Sequence, residues 1–183
     1  VTKWLQSQGL ELAIYPTARR IAFESGIPFV LAIHDLQHRL QPEFPEVSAN
    51  GEWKQREYLF KHGAMEAVAV LADSEVGKQD ILECYGSFGV TADKVFVLPF
   101  VPPNYLDVRA ASSIVGPLRR GYGLEQDYVF YPAQFWPHKN HMRLIEALAM
   151  ARHDLGVDIT LALAGSHRGE LREHTFAQAM AKA

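Results

Sequence analysis

The stretch "VFYPAQFWPHKNH", Val129 to His141, decides how this chain is to be read. An apolar run from Val129 stops at Pro132, and Pro137 precedes the cluster His138–Lys139–Asn140–His141. Beyond it, "NHMRLIEALAMAR" carries Leu144, Ile145, Leu148 and Ala151 on one helical face. The order is therefore strand, loop, helix. A loop that only joins two such elements is ordinarily Gly, Asn, Asp or Ser. This one holds Phe135, Trp136 and three side chains able to carry positive charge. Free N–H groups at a helix start favour an anion, and Lys139 adds a mobile charge that suits a phosphate. Phe135 and Trp136 either wall such a pocket or pack beneath the loop, with Asn140 as a plain helix cap.

Outward from this junction the pattern repeats. "ELAIY" (Glu11 to Tyr15), "PFVLAIHD" (Pro28 to Asp35), "AVAVLAD" (Ala67 to Asp73) and "KVFVLPF" (Lys94 to Phe100) read as strands. "GEWKQREYLFKHGA" and "SEVGKQDILECYG" read as helices, the second capped by Ser74. On the far side, "GVDITLALAG" is a strand and Glu170 to Lys182 a helix. Continuous apolar strands alternating with helices predict parallel sheets covered on both faces. Between Val101 and Gln126 the pattern breaks into Pro-, Gly- and Arg-containing sequence, which reads as a linker with a solvated Arg119–Arg120 pair. The expected layout is a first domain over 1–108, a linker over 109–126 and a second domain over 127–183. Each domain shows fewer strands than the five or six usual for a doubly wound half, so the chain is expected to be an internal piece of a larger protein. It should then show no turnover by itself.

In open α/β sheets, ligands bind beyond the carboxyl ends of the strands. The residues placed there are His34–Asp35, Asp73–Ser74, the loop from Gln134 to His141, and Gly165–Ser166. Gly165 permits either close approach of a ligand or a tight turn with positive φ. His34 can donate to a phosphate or sugar hydroxyl, or move a proton. His34 and His38 have the spacing of helix-borne zinc ligands, but no third ligand lies near in sequence, so no metal is expected. A net charge of −3 speaks against a nucleic-acid partner, which calls for a basic stripe. The single cysteine, Cys84, cannot form an internal disulfide and reads as a packing residue in a reducing, cytoplasmic setting. The apolar runs are too short to span a bilayer.

"YPAQFWPHKNHMRLIEALAMAR" resembles the start of the C-terminal domain of GT-B glycosyltransferases of the group 1 (family 4) kind. "PFVLAIHDLQHRLQPEFPE" and "ADSEVGKQDILECYG…DKVFVLPF" resemble the latter half of their N-terminal domain. The resemblance implies two Rossmann-like domains facing across a cleft. It implies a retaining, metal-independent hexosyl transfer, mannosyl among the candidates, in glycan or polysaccharide biosynthesis. The donor is a nucleoside-diphosphate sugar, a substrate rather than a cofactor. The acceptor is a glycan, lipid-linked or other hydroxyl, with membrane contact through parts outside this chain. On the family pattern Lys139, Gly165 and Ser166 meet the donor diphosphate, and Gln134 stands where the family has a second cation, an arginine. His34 matches the strand-end histidine near the reacting sugar. Asp35, Ser74, Trp136, His138 and Asn140 are further cleft-lining candidates. The family's paired glutamates and N-terminal glycine-rich loop have no counterpart here. The alternatives are a GT-B nucleotide-sugar epimerase and a non-catalytic sugar-nucleotide-binding module.

Overall fold

The computed structural model describes residues 2–104 and 108–183. The chain divides into two compact units, Val1–Val101 and Pro102–Ala183. Each has its own parallel sheet, one of four strands and one of two. The elements of the first unit are, in order, α1 (Thr2–Ser7), β1 (Ala13–Tyr15), α2 (Arg20–Glu24), β2 (Phe29–Ile33), α3 (Gln37–Leu40), α4 (Pro45–Ser48), α5 (Glu52–Glu66), β3 (Ala69–Ala72), α6 (Glu75–Tyr85) and β4 (Val95–Val97). Its strands lie side by side in chain order.

Burial in this sheet alternates. Phe29, Leu31 and Ile33 of β2, Val70 and Ala72 of β3 and Val95 of β4 are buried together with Ile81, Tyr85 and Val90. Their neighbours face the other way, and Ile14 and Phe96 remain 70% and 52% exposed. Among the described residues the first sheet is thus closed on one face, not on both as the apolar runs predict. Short runs of apolar residues cannot separate a strand buried twice from one buried once when its outer positions are also apolar. On the closed face α5 presses against β2 so tightly that a Cβ on Gly63 would lie 2.5 Å from the Leu31 Cδ2.

The loop after β2 is anchored to α5 by Glu57. Arg39 approaches this carboxylate through Nε and a terminal nitrogen, while His38 Nε2 lies 3.1 Å and the Tyr85 hydroxyl 3.3 Å from Oε2. The Arg39 guanidinium holds Glu57 below the usual carboxylate range, and burial pushes the Tyr85 phenol up. His38 is fully buried and its pKa is lowered, first by desolvation. It is therefore a neutral ring donating from Nε2, with Nδ1 unpartnered.

The second unit comprises α7 (Val108–Gly121), β5 (Tyr128–Pro132), α8 (His141–Leu155), β6 (Thr160–Ala164) and α9 (Glu170–Lys182). Its small core joins Phe135, Ile145 and Ala179 to Met142, Leu161, Leu163 and Phe176. The stretch read as a linker over 109–126 contains most of α7, and positions 105–107 lie outside the described residues. Arg119 is not a solvated member of a basic pair. It donates to the carbonyls of Leu124, Glu125 and Gln126 at 2.8, 3.0 and 2.9 Å, tying the end of α7 to the approach of β5. Pro117 and Gly116 masked this helix in the sequence, since both are poor helix formers. Among the described residues no helix is long and apolar enough to cross a membrane.

Glu57→Ala would leave the Arg39, His38 and Tyr85 donors without their shared acceptor. The expected loss is about 3 kcal/mol, read as a lower urea midpoint with unchanged slope. A loss under about 0.5 kcal/mol would show that the anchor contributes nothing.

Candidate functional site

Parallel register sets the site in each unit. In the second, Pro132 pairs with Ala164, so Ala133 and Gly165 leave the sheet side by side. A Cβ on Gly165 would lie 2.1 Å from the Ala133 carbonyl oxygen. Gly165 is not among the glycines with positive φ. Its lack of a side chain is required by the neighbouring backbone, and not by a left-handed turn. The two loops are further joined by the Phe135 N–H, which donates to the Ser166 carbonyl at 3.2 Å. The Ser166 hydroxyl is exposed and accepts from the Arg168 N–H at 3.3 Å.

The two aromatics of the quoted loop part company. Phe135 is only 3% exposed, stacks on the His141 ring at 4.3 Å and meets Phe176 edge-on at 5.0 Å. It supports the loop from below. His141 is fully buried, with neither ring nitrogen hydrogen-bonded. Burial lowers its pKa, only partly opposed by the nearby Ala133 backbone, so the ring is neutral. Asn140 has the left-handed conformation (φ 52°, ψ 46°) and caps α8 by accepting from the Arg143 N–H at 3.3 Å. The cap reading of Asn140 therefore holds.

Above this support lie the polar groups. Tyr131 donates its hydroxyl to the Lys139 carbonyl at 2.8 Å, fixing the backbone of the short 3-10 turn Pro137–Lys139. The Lys139 side chain is exposed, and no described residue pairs with its ammonium. His138 is half-buried in the same turn. The Gln134 side-chain oxygen accepts from Trp136 Nε1 at 3.0 Å and from an Arg172 terminal nitrogen at 2.9 Å. The Arg172 guanidinium also lies 4.6 Å above the Trp136 ring. Arg172 escaped the sequence reading because it stands 38 positions from Gln134, on a different element. No local motif marks it.

In the first unit Ile33 pairs with Ala72, which brings His34 beside Asp73. The His34 Nδ1 lies 3.0 Å from the Asp73 carboxylate, and Nε2 lies 2.8 Å from the Pro16 carbonyl. Both neighbours are acceptors, so both nitrogens carry protons when both contacts are made. The His34 pKa is raised accordingly, chiefly by Asp73, with burial opposing. Phe100 stacks on the ring at 5.8 Å. While both contacts are made the ring is doubly protonated, and in that state it has no lone pair with which to accept a proton. Asp35 is occupied too, accepting from the Gln37 N–H and from Arg56. Ser74 caps α6 by accepting from the Gly77 N–H at 3.0 Å.

Two small hollows flank His34 and Asp35. One of about 250 Å³ is lined by Thr17, Ala32, Arg56 and Phe60, and one of about 150 Å³ by Gln37, Ser74, Val76 and Asp80. A wider hollow of about 820 Å³, lined by Arg19, Arg20, Lys54 and Tyr58, includes neither residue. His34 and His38 turn to different partners, Asp73 and Glu57. Among the described residues no three potential ligand side chains gather as a metal site.

No protein-family model matches the sequence, and no curated protein is significantly similar to it.

Two measurements check this geometry. By NMR, the His34 ring should titrate above 6.5, and Asp73→Asn should lower its pKa by removing the largest cause of the rise. Because the folded pKa is raised, the stabilisation is full below the unfolded value and is lost as pH rises through the folded one. A wild-type His34 titrating at or below 6.5 would contradict the double contact. Separately, Gly165→Ala should destabilise the second unit by about 1–3 kcal/mol through overpacking against backbone, seen as a lower Tm for that unit.

Proposed function

We propose that this chain is part of a GT-B type glycosyltransferase that moves a sugar from a nucleoside diphosphate to an acceptor hydroxyl. The α/β architecture with parallel sheets is compatible with the Rossmann-like domains of that group. The observation that carries the reading is Lys139. It is an exposed ammonium without a partner among the described residues, at the carboxyl-end loop of β5 and immediately before the start of α8. An ammonium held there on a turn braced by Tyr131 and underlain by Phe135 suits a phosphate group.

The chemistry makes one demand that these residues meet. As the bond between the anomeric carbon and the diphosphate oxygen breaks, negative charge grows on the departing diphosphate. The acceptor oxygen bonds to the same carbon and gives up its proton. Lys139 stabilises the growing charge, a contact stronger in the transition state than in the ground state. Gly165 and Ser166 shape the floor of the loop pair and Trp136 its wall.

Lys139→Ala should weaken binding of a nucleoside-diphosphate sugar by about tenfold or more, the worth of one charge-assisted hydrogen bond. Calorimetry or saturation-transfer NMR with a panel of donors measures this. In any preparation competent for turnover, much of the loss should appear in kcat. Retained affinity in a folded Lys139→Ala variant, or no binding of any donor by wild type, would overturn the reading. Binding of the sugar nucleotide without transfer to any hydroxyl, by the full-length protein, would favour a binding module instead.

A further inference from the structure

We propose that Arg172 is a second cation of the diphosphate site, delivered to the loop after β5 from α9 and held there by Gln134 and Trp136. The inference rests on the reading of Lys139 as a phosphate contact. Three observations carry it. Arg172 is half-buried, yet no described carboxylate pairs with it, although a guanidinium withdrawn from water ordinarily finds one. Its only described contacts are a neutral amide oxygen and an aromatic face, which orient the guanidinium without neutralising it. Its Nε is buried and has no acceptor. That buried Nε is out of a ligand's reach, but the second terminal nitrogen makes no described hydrogen bond and remains unspent.

Placement agrees. α9 packs against the turn Pro137–Lys139, so the helix bearing Arg172 adjoins the turn bearing Lys139. Gln134 is bound by two donors through one oxygen, and this fixes its orientation. It is a positioning residue, a bracket between the Trp136 indole and the Arg172 fork. A guanidinium presents several N–H groups in a fixed plane and matches phosphate oxygens in pairs, while the Lys139 ammonium acts as a point charge. Two cations of unlike geometry fit a diphosphate better than a single carboxylate. Position 134 need not itself be basic if the charge arrives from α9.

The test uses the whole chain and inorganic diphosphate as probe, with affinity read by calorimetry at several salt concentrations. Arg172→Gln should weaken binding about tenfold or more and flatten its salt dependence, with Arg172→Lys recovering part of the loss. Gln134→Glu is the decisive variant. It places a carboxylate against Arg172, so binding should fall as in Arg172→Gln while the melting temperature holds or rises. A purely structural Arg172 predicts the reverse, with binding kept in Gln134→Glu. Arg152→Gln, at the other end of α8 and paired with Asp158, is the control and should bind as wild type. Wild-type affinity in folded Arg172→Gln, or no binding of diphosphate by wild type, overturns the proposal. Sugar-nucleotide binding that is lost in Lys139→Ala but kept in Arg172→Gln would remove Arg172 alone. Diphosphate binding that depends on Arg172, with no donor sugar accepted, would keep the two-cation site and remove the transferase reading.

Discussion

Everything at the two candidate sites depends on in-register parallel pairing at the strand ends. Because Ile33 lies opposite Ala72, the next residues out, His34 and Asp73, emerge together. Because Pro132 lies opposite Ala164, Ala133 and Gly165 do the same. In a parallel sheet adjacent carboxyl ends point the same way, so residues far apart in sequence are delivered to one edge. A register slip of one residue would turn each side chain to the opposite face. His34 would lose Asp73, and the Ala133 carbonyl would no longer face the one position that lacks a Cβ.

The two edges use this delivery differently. In the first unit it produces a closed arrangement, with a histidine between a carboxylate and a carbonyl, its charge already answered from within. In the second it produces an open one. The Lys139 ammonium and the Arg172 guanidinium stand without counter-charges among the described residues, on a loop and a helix joined by a floor of Phe135, His141 and Phe176. The floor is neutral because burial keeps the His141 ring unprotonated.

Much of the fold was legible in the chain itself. The six strands and the helices after Ser74, Asn140 and Gly169 follow from apolar runs, period and caps, and both Ser74 and Asn140 cap as their residue types predict. α7 was not legible, since Gly116 and Pro117 carry the signature of a break. Nor was the one-sided burial of the first sheet, because Ile14 and Phe96 are apolar on the exposed face. Strong local signals survive in sequence, whereas helices that contradict their own propensities are decided by contacts such as those of Arg119.

The sequence alone determined which residues stand at strand ends: His34, Asp73, the loop from Gln134 to His141, and Gly165. Period and punctuation are local properties, carried by a few neighbouring residues. Only the tertiary structure decided what each of them does. It sent Phe135 into the core and left Trp136 at the surface beneath Arg172. It spent Gly165 on the Ala133 backbone, gave His34 two acceptors, and set Arg172 on Gln134 across 38 positions. These outcomes are pairwise contacts between distant segments, and no window of sequence contains both partners.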